Sequence, residues 1–138
     1  MKISAHGLDL ELKPRSAASD EGWFRVNVSA RTTGFEGSFD AWLQTDDIVA
    51  FESELSLLYK NFGQPGTAAL ASAEPDIKIV LTIDRLGSIV GNYWLESERP
   101  GGVPTQLSGR FEADQSYIPG LLSDLETLLT NVGGIREA

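Results

Sequence analysis

The segment 37–63, GSFDAWLQTDDIVAFESELSLLYKNFG, changes its hydrophobic period at Gln44. Before Gln44, Phe39, Ala41 and Leu43 occupy alternate positions, which is typical of a half-buried strand. After Gln44, apolar residues recur every three or four positions, as on one face of a helix. These helical positions are Ile48, Phe51, Leu55, Leu58 and Phe62. The segment therefore predicts a strand that leads directly into an amphipathic helix.

Residues at both ends of this helix favour the same interpretation. Thr45 is the predicted N-cap, because its hydroxyl can accept a free N–H of the first turn. Asp46 and Asp47 would lie at the positive end of the helix dipole, and Lys60 near its negative end. Gly63 is the predicted C-terminal stop.

The start of this segment, GSFDA at 37–41, returns as GRFEA at 109–113, and a second leucine-rich stretch follows it. In that stretch Ser116 is the predicted N-cap, and Pro119 falls in the first helical turn, where its missing N–H costs nothing. Gly37 and Gly109 share the inward parity of their strands. We expect each to leave room where a helix approaches closely or the strand bulges. The repeated motif is thus predicted to join a strand to a helix, which concerns architecture rather than chemistry.

Period-two alternation predicts the strands and, with them, the fold class. The predicted strands lie at 8–13, 23–31, 35–43, 76–84, 89–97 and 105–113, with a weaker, alanine-rich strand at 66–74. We predict a single α+β domain at 1–134, with a curved antiparallel sheet of about eight strands, two helices packed on one face and a C-terminal tail at 135–138. The expected core is Phe24, Val26, Val28, Phe39, Phe51, Leu55, Leu58, Ile79, Leu81, Ile89, Phe111, Leu122, Leu125 and Leu129.

Composition narrows the class of partner. The 138 residues match the usual length of one domain, and they include no cysteine that could form a disulfide or a thiolate metal site. The net charge of −9 disfavours binding to nucleic acids or anionic membranes and would attract a basic protein. The alternative explanation of the acidic charge is solubility alone. The N-terminus lacks the apolar run of a signal peptide. We therefore expect a soluble, cytoplasmic protein, and its oligomeric state is open.

The sequence contains little that predicts catalysis. His6 is the only histidine, and the glycine-rich nucleotide motifs, the GxSxG motif and the calcium-loop motif are absent. We expect no enzymatic activity, no cofactor and no metal site. The competing hypothesis is a hydrolase that uses carboxylates on adjacent strands, such as Asp40 and Glu112.

Three tryptophans occupy the alternate positions of their strands that are predicted to face away from the core, where large aromatic residues need an explanation. One interpretation is a second small core on that side of the sheet. Another is a protein-binding patch with a charged rim, and a third is a stacking platform for a carbohydrate or another small molecule. The predicted partner-binding residues are Trp23, Arg25, Asp40, Trp42, Trp94, Glu96, Arg110 and Glu112.

Three stretches resemble the WapI family of bacterial immunity proteins: WFRVNVSARTTGFEGSFDAWLQTDDIVAFESELSLLY, LASAEPDIKIVLTIDRLGSIVG and FEADQSYIPGLLSDLETLL. The resemblance covers roughly residues 23–130 and includes the Gly-Phe-x-Gly-x-Phe and Asp-Gln-Ser-Tyr-Ile-Pro motifs. It implies a small cytoplasmic protein that neutralises a cognate secreted toxin, in some systems a nuclease. The acidic charge is compatible with a basic toxin of that kind.

Overall fold

The computed structural model describes residues 1–74, 76–97 and 101–133. Within them, eight strands and two helices follow one another as two units of four strands and a helix, with a 3₁₀ turn at Gln115–Tyr117 before the second helix. The elements are β1 (Lys2–Ala5), β2 (Leu8–Pro14), β3 (Trp23–Thr32), β4 (Phe35–Gln44), α1 (Thr45–Lys60), β5 (Gly66–Ala71), β6 (Ile77–Ile83), β7 (Ser88–Ser97), β8 (Thr105–Asp114) and α2 (Ile118–Gly133).

The strands form two antiparallel sheets, ordered β1-β2-β3-β4 and β5-β6-β7-β8. The predicted α+β class, with eight antiparallel strands and two helices, is confirmed, and the predicted curved sheet is divided into two. The division has a local cause, because α1 begins directly after β4 and lies against β5. The Glu54 carboxylate of α1 accepts the backbone N–H of Ala69 at 2.8 Å, which occupies a group that a neighbouring strand would otherwise use.

One hydrophobic core lies between these layers. α1 contributes Ile48, Phe51, Leu55 and Leu58, and both sheets and α2 pack against the same cluster. The predicted core residues are buried except Phe39, Leu122 and Leu129, which are half-buried and pack against the cluster from its margin.

The helix starts differ from the predicted caps. Gln44, not Thr45, is the N-cap of α1, and its N–H donates to the Asp47 carboxylate at 2.9 Å. In the second unit, Asp114 caps the 3₁₀ turn by accepting the N–H of Ser116 at 2.8 Å. At α1 the Asp47 carboxylate accepts the N–H of the N-cap residue itself, and in the second unit the Asp114 carboxylate accepts a first-turn N–H. Acids therefore cap both places where the hydroxyls of Thr45 and Ser116 were expected.

The repeated motif occupies equivalent places, because β4 and β8 each end their sheet and precede a helix. The expected role of its glycines is wrong. A Cβ at Gly37 would meet no atom within 4 Å, whereas a Cβ at Gly109 would lie 2.6 Å from the Tyr93 hydroxyl. Gly109 therefore makes room for a tyrosine on the neighbouring strand, and Gly37 faces open space. The predicted tail at 135–138 lies outside the described residues.

Strand β1 was not among the predicted elements. It forms a hairpin with β2 through His6 and Gly7, and Gly7 has a φ of 102°. This turn reaches the second sheet, where the N–H of Glu112 donates to the carbonyl of His6 at 2.9 Å. The first hairpin thus joins the two sheets at one end of β8.

Candidate functional site

Four side chains on β3 and β4 form what we call the Trp42 cluster: Arg25, Asn27, Asp40 and Trp42. Arg25 lies opposite Trp42 in the strand register, with its guanidinium carbon 5.7 Å from the centre of the indole ring. Its Nη2 also lies 3.1 Å from Oδ2 of Asp40. The other oxygen of Asp40 accepts a hydrogen bond of 3.1 Å from Asn27. Asp40 therefore holds the Arg25 guanidinium beside the Trp42 ring, and Asn27 in turn holds Asp40.

This geometry favours recognition more than stability. An exposed ion pair contributes at most about 1 kcal/mol to folding, so the cluster is not needed to hold the hairpin together. Trp42 nevertheless remains 43% exposed. A large aromatic side chain already held beside a cation loses little freedom on binding, which is the character of an interface anchor. Trp23, at the start of β3, is half-buried and lies opposite Gln44.

The other predicted residues lie on the second sheet. Trp94 is 47% exposed on β7 and faces Ser108 of β8. Glu96 lies opposite Gln106, whose amide nitrogen is 3.5 Å from its carboxylate. On β8, Arg110 and Glu112 are exposed at outward positions. The predicted set is therefore divided between two sheets.

This division corrects one sequence-based expectation. Asp40 and Glu112 lie on β4 and β8, the end strands of different sheets, and so they are not on adjacent strands. Asp40 is already bound to Arg25 and Asn27. Within residues 1–74, 76–97 and 101–133, no cluster of three or more histidine or acidic side chains could hold a metal ion.

A polar groove of about 660 Å³ lies on the outward face of the first sheet. Its charged residues are Lys2, Asp9, Glu11, Arg31 and Glu36, and the side chains of Asp9 and Arg31 are 3.4 Å apart. Hydrogen bonds from the Ser4 hydroxyl and from Arg31 lower the pKa of the Asp9 carboxyl below its ordinary value. These hydrogen bonds therefore favour the ionised form of Asp9 in the groove.

A larger cleft of about 930 Å³ lies between the two sheets, and sequence reasoning missed it. Its lining is mostly apolar or small, and both glycines of the repeated motif belong to it. Phe35 is 67% exposed at its mouth. The one available signal was Phe35 itself, an aromatic residue directly after a turn glycine, whose place in the alternation of the predicted strand indicates only that it faces inward. Among the described residues, no tryptophan lines either this cleft or the polar groove.

Comparison with known proteins places the chain in a family. The model of the immunity protein WapI-like family matches residues 2–133. The chain belongs to the immunity protein WapI-like family. This confirms the resemblance stated from the sequence and extends it to β1 and the end of α2. The family indicates a role in immunity, and the matched region of this WapI-like chain includes the Trp42 cluster and the cleft.

Two solved structures are similar to this WapI-like chain. One is the plant transcriptional regulator PBF-2, with 12% identity, a TM-score of 0.50 and coverage of 99% of this chain and 91% of that chain. The other is WHY1 from Arabidopsis thaliana, with 13% identity, a TM-score of 0.48 and the same coverage. At this identity the likeness to PBF-2 concerns the fold alone. No curated protein matches the sequence significantly, and no helix in the described residues is long and apolar enough to cross a bilayer.

Proposed function

We propose that this protein binds a cognate secreted bacterial toxin in the cytoplasm and neutralises it by occlusion, without catalysis of its own. The observation that carries the proposal is the family match over residues 2–133. The toxin is proposed to be a basic protein, with a nuclease as the leading case.

The charge of the molecule supports a basic partner. A net charge of −9 creates a field that attracts a cationic protein and accelerates encounter. A nuclease carries cationic groups that hold phosphates, and an acidic protein can compete for the same groups. Occlusion then requires only a stable complex that covers the toxin's active site.

The Trp42 cluster is the proposed centre of contact, with Trp23 beside it and with Trp94, Glu96, Arg110 and Glu112 on the second sheet as further contacts. Trp42 is half-exposed and is held by Arg25, which Asp40 fixes in turn. Burying one tryptophan at the centre of an interface commonly contributes about 2 kcal/mol or more, which is over tenfold in affinity.

The test is the variant Trp42→Ala, assayed for protection of cells that express candidate toxin domains encoded beside this gene. We expect protection to fall by at least about tenfold in effective dose, while the melting temperature changes by no more than about 2 °C. Tyr59→Ala is the matched control, because Tyr59 is a comparably exposed aromatic residue (52%) on α1. It should leave protection unchanged.

Two results would contradict the proposal. A large loss of stability in Trp42→Ala would mean that this ring fills a second core, and any loss of protection would then come from unfolding. If no neighbouring toxin domain is neutralised, but a carbohydrate or another small molecule raises the melting temperature of the wild type and not of Trp42→Ala, the protein is a ligand-binding module.

A further inference from the structure

We propose that the cleft between the sheets accepts an extended segment of the partner protein, which adds as a strand to the free edge of β4. This inference rests on the proposed function for the identity of the partner, and it names the mode of binding. Sheet order leaves β4 with a neighbour on one side only, because β3 pairs with it and no strand within the described residues pairs with its other edge. An unpaired edge presents N–H and C=O groups to another chain.

The residues that line the cleft show that it follows this edge. On β7 only alternate residues, Tyr93, Leu95 and Ser97, reach the cleft, which is the pattern of one sheet face. On β4 every residue from 35 to 39 lines it, and on β8 every residue from 105 to 110 does so. Consecutive residues of both parities can line one cavity only where the cavity runs along the backbone edge.

The edge of β4 is open on both sides of the sheet. Glu36, Gly37 and Ser38 line the cleft and also line the polar groove on the outward face. All residues from 35 to 38 are exposed. Five paired residues would span roughly 17 Å at ~3.4 Å each, so the edge can hold a short strand of a partner.

Gly37 is the residue that fits this use best. Glycine in a strand often marks a place where another backbone approaches closely. Gly37 needs no such freedom for the fold itself, because its φ is not positive and a Cβ there would meet nothing within 4 Å. The open space beside Gly37 therefore lies within the cleft rather than in the packed core.

The two sides of the edge specify the chemistry of the segment. An added strand would direct alternate side chains into the cleft, against Phe35, Phe39 and Leu107. The side chains between them would face the polar groove, whose charged lining has three acids (Asp9, Glu11 and Glu36) and two bases (Lys2 and Arg31). Within the described residues Glu36 lies opposite Arg31 in the strand register but forms no ion pair. Together with the net charge of −9, this favours a segment of alternating apolar and basic residues.

The experiment uses the full protein and a library of random ten-residue peptides on phage, followed by synthesis of the enriched sequences. We expect alternating apolar and basic sequences, and we expect their binding to slow amide hydrogen exchange in β4. Gly37→Arg should weaken their binding by at least about tenfold, because the side chain fills the cleft at the edge. Gly120→Arg is the matched control, since it adds the same side chain and charge on α2, also with nothing within 4 Å of its Cβ.

Several outcomes would overturn the proposal. These are a selection that enriches no peptide, slowed exchange confined to amides outside β4, and equal weakening of binding by both arginine variants. A concentration-dependent dimer that Gly37→Arg abolishes would place a second copy of this chain at the edge instead. The peptide assay does not use the toxin, so the two proposals can fail separately. Strand addition can be refuted while the Trp42 cluster still proves necessary for protection, and peptide binding at β4 can be found while Trp42→Ala leaves protection unchanged.

Discussion

Replacing each of the two phenylalanines of the repeated motif, Phe39 and Phe111, by alanine should destabilise the protein to different extents. Phe111 is 2% exposed, and its ring covers Gly91 on the neighbouring strand. Its removal loses the transfer free energy of the side chain and leaves a cavity, which together cost about 3–5 kcal/mol. Phe39 is half-buried and borders the open cleft. Water can fill its place, so we expect a loss of about 1–2 kcal/mol, with the cavity contribution absent.

Urea unfolding of both variants at constant m-value measures this difference. If the two losses agree within about 0.5 kcal/mol, the two copies of the motif are equally packed and the cleft is not open at Phe39. A loss below about 1 kcal/mol at both positions would show that neither ring belongs to the core.

A double-mutant cycle tests the cause at Phe111. A Cβ on Gly91 would overlap the end of the Phe111 ring, so Gly91→Ala alone forces the ring to move and should cost about 1–3 kcal/mol. In the Phe111→Ala background the same change meets free space and should cost far less. The expected coupling is at least about 1 kcal/mol, and additive effects would refute the proposed packing of ring over glycine.

Two further predictions concern α1 and the entry to α2. Phe51→Ala should lower the free energy of unfolding by about 3–5 kcal/mol in the same urea assay, because this side chain of α1 is fully buried in the core. A loss under about 1 kcal/mol would mean that α1 turns another face to the core. Hydrogen bonds from the hydroxyl and N–H of Ser116 lower the pKa of the Asp114 carboxyl below its ordinary 3.8. The ionised Asp114 carboxylate therefore stabilises the folded state above pH 3.8. This stabilisation is lost as the pH falls through the lower pKa that the group has in the folded protein. Asp114→Asn should flatten the acid side of the stability profile, and an unchanged profile would contradict this account.

The parts of the fold that follow from local pattern could be predicted from the sequence. Alternation predicted strands β2 to β4 and β6 to β8, and helical spacing predicted both helices, because each pattern reports which face of one element is buried. The alanine-rich stretch predicted β5 more weakly, and it is confirmed. Strand β1 escaped because four residues, Lys2–Ala5, are too few to establish a period. Its turn depends on the φ of Gly7, which a sequence does not display.

The predicted binding residues show the same limit. Parity correctly placed Trp42 and Trp94 on exposed faces. It did not indicate that they belong to different sheets, since that depends on which strands pair across long separations. The contact of Arg25 with both Trp42 and Asp40 depends on the register of β3 and β4. Whether this surface binds a partner remains a prediction.

The cleft follows from the way two similar units share one core. Each unit of four strands and a helix ends its sheet with the strand before the helix, so the free edges of β4 and β8 both border the junction of the sheets. The β1–β2 turn closes one end of the β8 edge, where Gly7 approaches Arg110 and His6 bonds to Glu112. No equivalent hairpin covers the β4 edge among the described residues. Because free edges invite pairing and proteins generally cover them, an exposed edge beside an apolar cleft is best explained by a partner strand.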